Sequence, residues 1–236
     1  RALHTPLRRQ RQMRIIDSPL FGGSLDNKVV QTLARAFVQS GWTAVRFNFR
    51  GVGASAGGHD EGRGELEDLL AVVHDIHARG LSTTEQTGLQ GGSNGGLMVL
   101  AAMVDEPDSV GAVVAEVPLA DMLRYPHLSS GASWLAEFGD PHSEDEDMQR
   151  ALYDLSPYHR IAHQRTYPAT LLTTSLSDDR VHPAHAFKTY ARLQQLEQAS
   201  WLYCPEDGGH SGNSTQEELA DETAVIMTFF AKQLAS

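Results

Sequence analysis

Short apolar runs alternate along this chain with segments whose apolar positions recur every three to four residues. Runs at 13–17, 42–49, 87–91, 110–119, 167–175 and 200–205 read as strands. The run at 110–119, "VGAVVAEVPL", is nearly continuous, as expected of a strand covered on both faces. Helical periodicity fills 28–41, 65–80, 96–106, 183–198 and 214–235. The punctuation agrees: Gly41 and Gly80 suit helix C-termini, Pro183 a first turn, and Ser214 with Glu217 an N-terminal capping box.

Strand–helix alternation of this kind specifies an α/β fold, with about six mostly parallel strands and helices on both faces. The pattern loses regularity between Asp121 and Thr166, predicting a small insertion over the C-terminal edge of the sheet within a single domain spanning 1–236. Ligands of open parallel sheets bind at that edge.

One junction stands out. "LQGGSNGGLM" carries Gly91-Gly92-Ser93-Asn94-Gly95, a G-x-S-x-G motif placed between a strand and a helix. Such a turn projects the Ser93 hydroxyl and aims the Asn94 N–H at a bound carbonyl oxygen. A glycine-rich turn without chemistry is the bland alternative. A serine nucleophile, however, needs an imidazole to take its proton and a carboxylate to orient that imidazole. In this motif's chain order the acid comes next and the histidine last. "SLSDDRVHP" follows one strand and "PEDGGHSG" the next, which places Asp178 and His210 in that order. Asp179 is the rival acid, and Glu206 and Asp207 precede the histidine on its own loop.

Composition removes several classes. A net charge of -11 and a pI near 5.4 oppose a nucleic-acid partner. No apolar run reaches the roughly 20 residues of a membrane span. The basic start "RALHTPLRRQRQMR" has no apolar stretch behind it and is not read as a secretory leader. The lone Cys204, expected as a small buried strand residue, allows no intrachain disulfide, and a cytoplasmic setting is expected. The pairs His74/His77, His159/His163 and His182/His185 lack an H-E-x-x-H or carboxylate-rich context. They are read as helix faces, and neither metal nor organic cofactor is expected. "SEDED" at 143–147 is read as a solvated loop or helix start.

Two resemblances accompany these motifs. From about Leu81 onward, "GGSNGGLM", "VPLADMLRYPHLSSGASWLAEFGDP", "LYDLSPYHRI", "YPATLLTTSLSDDRVHPAHAFKTYARL" and "GGHSG" resemble the catalytic domain of the prolyl oligopeptidase family. That resemblance implies Ser93 as nucleophile, Asp178 as orienting acid and His210 as general base. It further implies that Trp134 stacks on the substrate and that Arg180 hydrogen-bonds a substrate carbonyl. From about Leu20 to Asp75, "PLFGGSLDNKVVQTLARAF" and "VRFNFRGVGASAG" are similar to small bacterial α/β-hydrolases, so the chain reads as a mosaic.

Departures from the family pattern shape the expected substrate. The family's β-propeller is not expected within these 236 residues. The family's oxyanion tyrosine corresponds to Phe21, which has no hydroxyl, leaving a backbone N–H of Leu20 or Phe21 as second donor. Losing a donor costs about 10²–10³ in rate, which weighs more heavily on amides than on esters. An ester-cleaving serine hydrolase is therefore expected, with Trp134, Phe138, Met122 and Leu123 as an apolar wall. A peptidase acting on short peptides is the runner-up, and a non-catalytic binding protein on this scaffold is the rival from another class.

Overall fold

A computed structural model describes residues 12–16, 28–60, 62–206, 208–210 and 215–234. Six strands, β1 (Gln12–Ile16), β2 (Thr43–Val45), β3 (Thr87–Gly92), β4 (Ala112–Glu116), β5 (Ala169–Thr173) and β6 (Ser200–Tyr203), form one sheet in the order β2-β1-β3-β4-β5-β6. Every pairing is parallel. The longer helices are α1 (Lys28–Gln39), α2 (Arg63–Ala78), α3 (Asn94–Asp105), α7 (Ala184–Gln195) and α8 (Gln216–Gln233). Three short ones, α4 (Leu135–Phe138), α5 (Glu146–Asp154) and α6 (Pro157–Arg160), lie between β4 and β5.

The alternation of side chains along β4 divides the core in two. Val113 and Ala115 face a cluster built from α2, α3 and α7, including Leu69, Leu97, Leu100 and Leu193. Ala112 and Val114 face a second cluster with Val30 and Phe37 of α1 and Ile226 and Phe230 of α8. Helix α3 is buried on all sides from Leu97 to Val104, which explains why its residues are apolar all round rather than along a stripe.

The expected strand at 42–49 is shorter than its pattern suggests. Among the described residues only Thr43–Val45 is paired as strand, against β1. Beyond it the chain leaves the sheet so that Phe49 can enter the α2–α3 cluster, packed edge-on to Phe47 at 4.9 Å. Arg50 then pins the following loop to α2, its backbone N–H donating to Asp68 Oδ2 at 2.8 Å and its guanidinium to Oδ1 at 2.9 Å.

Two local expectations shift. Helix α8 is capped by Thr215, whose Oγ1 accepts the Glu218 N–H at 3.2 Å while Glu218 accepts the Thr215 N–H at 2.9 Å. The box thus sits one residue later than the Ser214/Glu217 pair; Ser214 lies outside the described residues. Cys204 follows β6 and is only half-buried, its sulfur 3.8 Å from the Pro205 carbonyl oxygen. The 143–147 segment is a helix start, with Asp145 Oδ1 accepting the N–H groups of Asp147 and Met148 ahead of α5.

Candidate active site

The turn from β3 into α3 holds Ser93 at φ 56°, ψ -117°, a region that ordinary side chains avoid. Its neighbours enforce that shape. The Ser93 N–H donates to the Glu116 carbonyl on β4 at 2.8 Å, and its own carbonyl accepts the Leu97 N–H at 3.1 Å. A Cβ on Gly91 would stand 2.3 Å from the Gly95 carbonyl oxygen, and one on Gly96 would meet Pro118 at 2.8 Å. Glycine at these two positions lets strand, helix and the segment after β4 close around the serine.

The loops after β5 and β6 deliver the other two residues. His210 Nε2 lies 3.0 Å from Ser93 Oγ, and His210 Nδ1 lies 3.0 Å from Asp178 Oδ2. Asp178 is fully buried and the imidazole is 12% exposed. Asp178 Oδ1 accepts the backbone N–H groups of Arg180 (3.0 Å) and Val181 (2.9 Å), so each carboxylate oxygen has a separate task. Asp179 is exposed, and among the described residues its backbone carbonyl accepts from Ser130 Oγ at 3.2 Å. Glu206 is exposed, with its carbonyl accepting from Ser177 Oγ at 3.0 Å; Asp207 lies outside the described residues. Ser175 Oγ also donates to the Gly208 carbonyl at 2.6 Å, so two serine hydroxyls stitch the acid loop to the histidine loop.

A cavity of about 430 Å³ opens beside the serine, lined by Ser93, Asn94, Leu119, Ser130, Ser133, Trp134, Glu137, Phe138, Arg180 and His210. Trp134, Phe138 and Arg180 are therefore brought to the site. Met122 is not. It is fully buried among core side chains, its backbone N–H donating to Ser156 Oγ at 3.0 Å, because the chain turns inward after Asp121. Leu123 likewise packs against the core rather than the cavity. Leu20 and Phe21 lie outside the described residues. Asn94 heads the 12-residue helix α3, and its side-chain amide lies 3.4 Å from Glu137 Oε1.

Glu137, Ser130, Ser133 and Leu119 escaped the sequence reading. A signal existed for Glu137: the single turn of α4 sets Trp134, Glu137 and Phe138 on one side at i, i+3 and i+4. Burial pushes the Glu137 carboxyl above its usual range.

Behind the cavity, buried polar groups hold the segment after β4. His185 Nδ1 accepts the N–H groups of Ala120 (3.2 Å) and Asp121 (3.1 Å), which places the ring proton on Nε2. Burial lowers its pKa to about 4, so this histidine stays neutral. Asp121 pairs with Lys188 and Arg124, and His159 bonds Ser156 at 2.8 Å. The remaining helix-face histidines are occupied too: His74 meets Glu106, His77 meets Thr87 Oγ1 at 3.1 Å, and His182 Nδ1 accepts the Ala184 N–H. His163 is exposed. Among the described residues no helix is long and apolar enough to cross a membrane.

The model of the prolyl oligopeptidase family matches residues 29–236, and so takes in part of the stretch that resembles small bacterial α/β-hydrolases. An uncharacterized peptidase of Rickettsia prowazekii is 32% identical over 94% of this chain, and a prolyl endopeptidase of Elizabethkingia meningoseptica 31% identical over 72%. The chain spans 30% and 25% of their respective lengths. A post-proline cleaving enzyme from Rickettsia typhi superposes with a TM-score of 0.85 at 27% identity, over 98% of this chain and 34% of that one. The parallel sheet, the strained serine turn and the match across most of the sequence have one account: the fold is that of the α/β-hydrolases, and the chain belongs to the prolyl oligopeptidase family.

Proposed function

We propose that this chain is the catalytic domain of a serine peptidase that cleaves short peptides through an acyl-enzyme. The observation that carries the proposal is the continuous chain Ser93 Oγ–His210–Asp178, with both links at 3.0 Å. Ser93 Oγ attacks the scissile carbonyl while His210 Nε2 takes its proton, and buried Asp178 stabilises the resulting imidazolium. The oxyanion faces the Asn94 N–H, and a backbone N–H of Leu20 or Phe21 is assigned as the second donor. His210 then protonates the leaving amine. Water activated by the same imidazole releases the acyl group. These steps use protein side chains and backbone throughout.

The expectation of ester specificity rests on Phe21 replacing a tyrosine donor. The named peptidases among the relatives favour amide cleavage instead, and Trp134 and Phe138 beside Ser93 suit a flat apolar ring such as proline on the acyl side. Turnover of a proline 4-nitroanilide is compared with that of a short-chain p-nitrophenyl ester. Measurable anilide cleavage that disappears in Ser93→Ala supports the peptidase. Ester turnover with no anilide cleavage returns the esterase. Failure of the wild type to react with a fluorophosphonate leaves only the binding-protein reading.

A further inference from the structure

Half of the residues lining the catalytic cavity, Ser130, Ser133, Trp134, Glu137 and Phe138, come from one closed loop. The loop, residues 128–141, leaves the buried Tyr125 and returns to it: the Tyr125 hydroxyl donates to the Gly139 carbonyl at 2.6 Å, and its ring packs edge-on to Phe138 at 5.8 Å. At the neck of the loop stand His127 and His142, both exposed, with their Nε2 atoms 3.0 Å apart. Neither takes part in the triad.

The two rings meet nearly head-on, centroids 5.2 Å apart, as when two neutral imidazoles share one proton. A metal ion fits in place of that proton. Two nitrogens bound to one ion at about 2.0–2.1 Å, cis or tetrahedrally, stand about 2.8–3.4 Å apart. The pair already has that spacing, and turning each ring toward a common point uses only the broad χ2 torsion of an exposed side chain. The donor ring moves its proton from Nε2 to Nδ1, so both lone pairs face the ion and no proton is released. Glu144, Asp145, Glu146 and Asp147, all exposed and just after His142, draw dications toward the neck in a chain of net charge -11. Among the described residues no group of three or more His, Cys, Asp and Glu is placed to hold a metal, so water completes the coordination and the ion exchanges with solvent.

We infer that His127 and His142 form a binding site for a divalent ion of the zinc, nickel and copper class, and that the bound ion staples the neck of the loop that walls the catalytic cavity. Two imidazoles select this class over magnesium and calcium, which take oxygen ligands. With the neck closed, Trp134 and Phe138 are held in place beside Ser93, and less ordering remains to be done when substrate docks. The expected kinetic effect is a KM lower by about two- to tenfold, the equivalent of one side chain ordered in advance, with kcat little changed. That consequence rests on the peptidase reading; the site itself does not.

The experiment titrates chelator-stripped protein with zinc chloride by calorimetry, with magnesium chloride as comparison, in the wild type, His127→Gln and His142→Gln. Hydrogen exchange across residues 128–141 is followed with and without zinc. One equivalent of zinc is expected to bind the wild type with micromolar affinity and to be lost from both variants, and zinc should slow exchange in the loop of the wild type only. Equal zinc binding by all three proteins, or magnesium binding as tight as zinc, overturns the site. Binding that leaves exchange in the loop unchanged overturns the staple. KM is measured with a proline 4-nitroanilide and a short-chain p-nitrophenyl ester; a change that persists in both variants belongs to other histidines and overturns the link to this pair. Absence of anilide cleavage defeats the peptidase reading, while calorimetry and exchange, which need no turnover, still decide the site.

Discussion

Replacing Asp178 by asparagine should silence the site without unfolding it, and the loss can be worked from the contacts. Oδ1 accepts two backbone N–H groups, from Arg180 at 3.0 Å and Val181 at 2.9 Å. An asparagine must therefore keep its carbonyl oxygen at that position and turn its NH₂ toward His210 Nδ1. That nitrogen then has to accept, so the ring proton moves to Nε2, which faces Ser93 Oγ at 3.0 Å and can no longer take the hydroxyl proton. Flipping the amide restores the useful tautomer but sets NH₂ against two buried donors, at about 1–3 kcal/mol each. A total of about 2–6 kcal/mol leaves the active arrangement populated at roughly 3% down to below 0.01%. The expected loss in kcat/KM is thus between about 30-fold and more than 10⁴-fold, in line with the general behaviour of such substitutions. Both backbone donors keep their acceptor, so the melting temperature should barely move, whereas Asp178→Ala strands them and should lower it. The assay is anilide turnover together with the rate of fluorophosphonate labelling. A loss below tenfold in both would mean that Asp178 does not set the tautomer of His210.

Other outcomes are open to direct measurement. Trp134→Ala should raise KM by roughly tenfold, because a large half-buried ring is worth about 1.5 kcal/mol of contact; unchanged KM would place the substrate elsewhere. Gly96→Ala puts a methyl group 2.8 Å from Pro118 and should cost about 1–3 kcal/mol, visible as a melting temperature lower by several degrees. Burial, aided by Glu222, raises the Glu116 pKa from 4.5 to about 7, although Gln90 donates to it at 2.8 Å. The folded protein then holds a proton that the unfolded chain releases near 4.5, so stability should fall as pH climbs from about 4.5 to about 7. Glu116→Gln should remove most of that slope, and melts at several pH values decide the matter.

Most of the layout was legible because periodicity reports burial. Strands β3 to β6 and the five longer helices lie where the apolar spacing places them, within a few residues. The Ser93, Asp178, His210 constellation was also legible. A glycine-flanked serine at a strand–helix turn, with acid and histidine each just beyond a later strand, is a combination that packing alone does not require. Spacing alone left Asp179 as a rival acid and the resemblance selected Asp178; the coordinates add which way the turn faces each carboxylate, Asp178 toward His210 and Asp179 toward solvent. Met122 was misplaced for a related reason. In the irregular segment after β4 no period tells an inward side chain from one that lines a cavity, and a buried core position and a pocket wall are equally apolar. Phe49 shows the converse, where a strand-like pattern ends early because the chain turns to fill the core. Glu137 was passed over because one acidic residue in an apolar stretch reads as solvent-facing until its neighbours are known.

The hydroxyls of Ser175 and Ser177, bonded to the carbonyls of Gly208 and Glu206, have a mechanical consequence. On the proposed mechanism they make base and orienting acid travel as one cartridge, so breathing at this rim would widen the gap to the nucleophile before it disturbs the link between imidazole and carboxylate. If the proposed mechanism holds, gating would then act on a single distance, that from imidazole to alkoxide precursor, with the charge-stabilising half kept assembled.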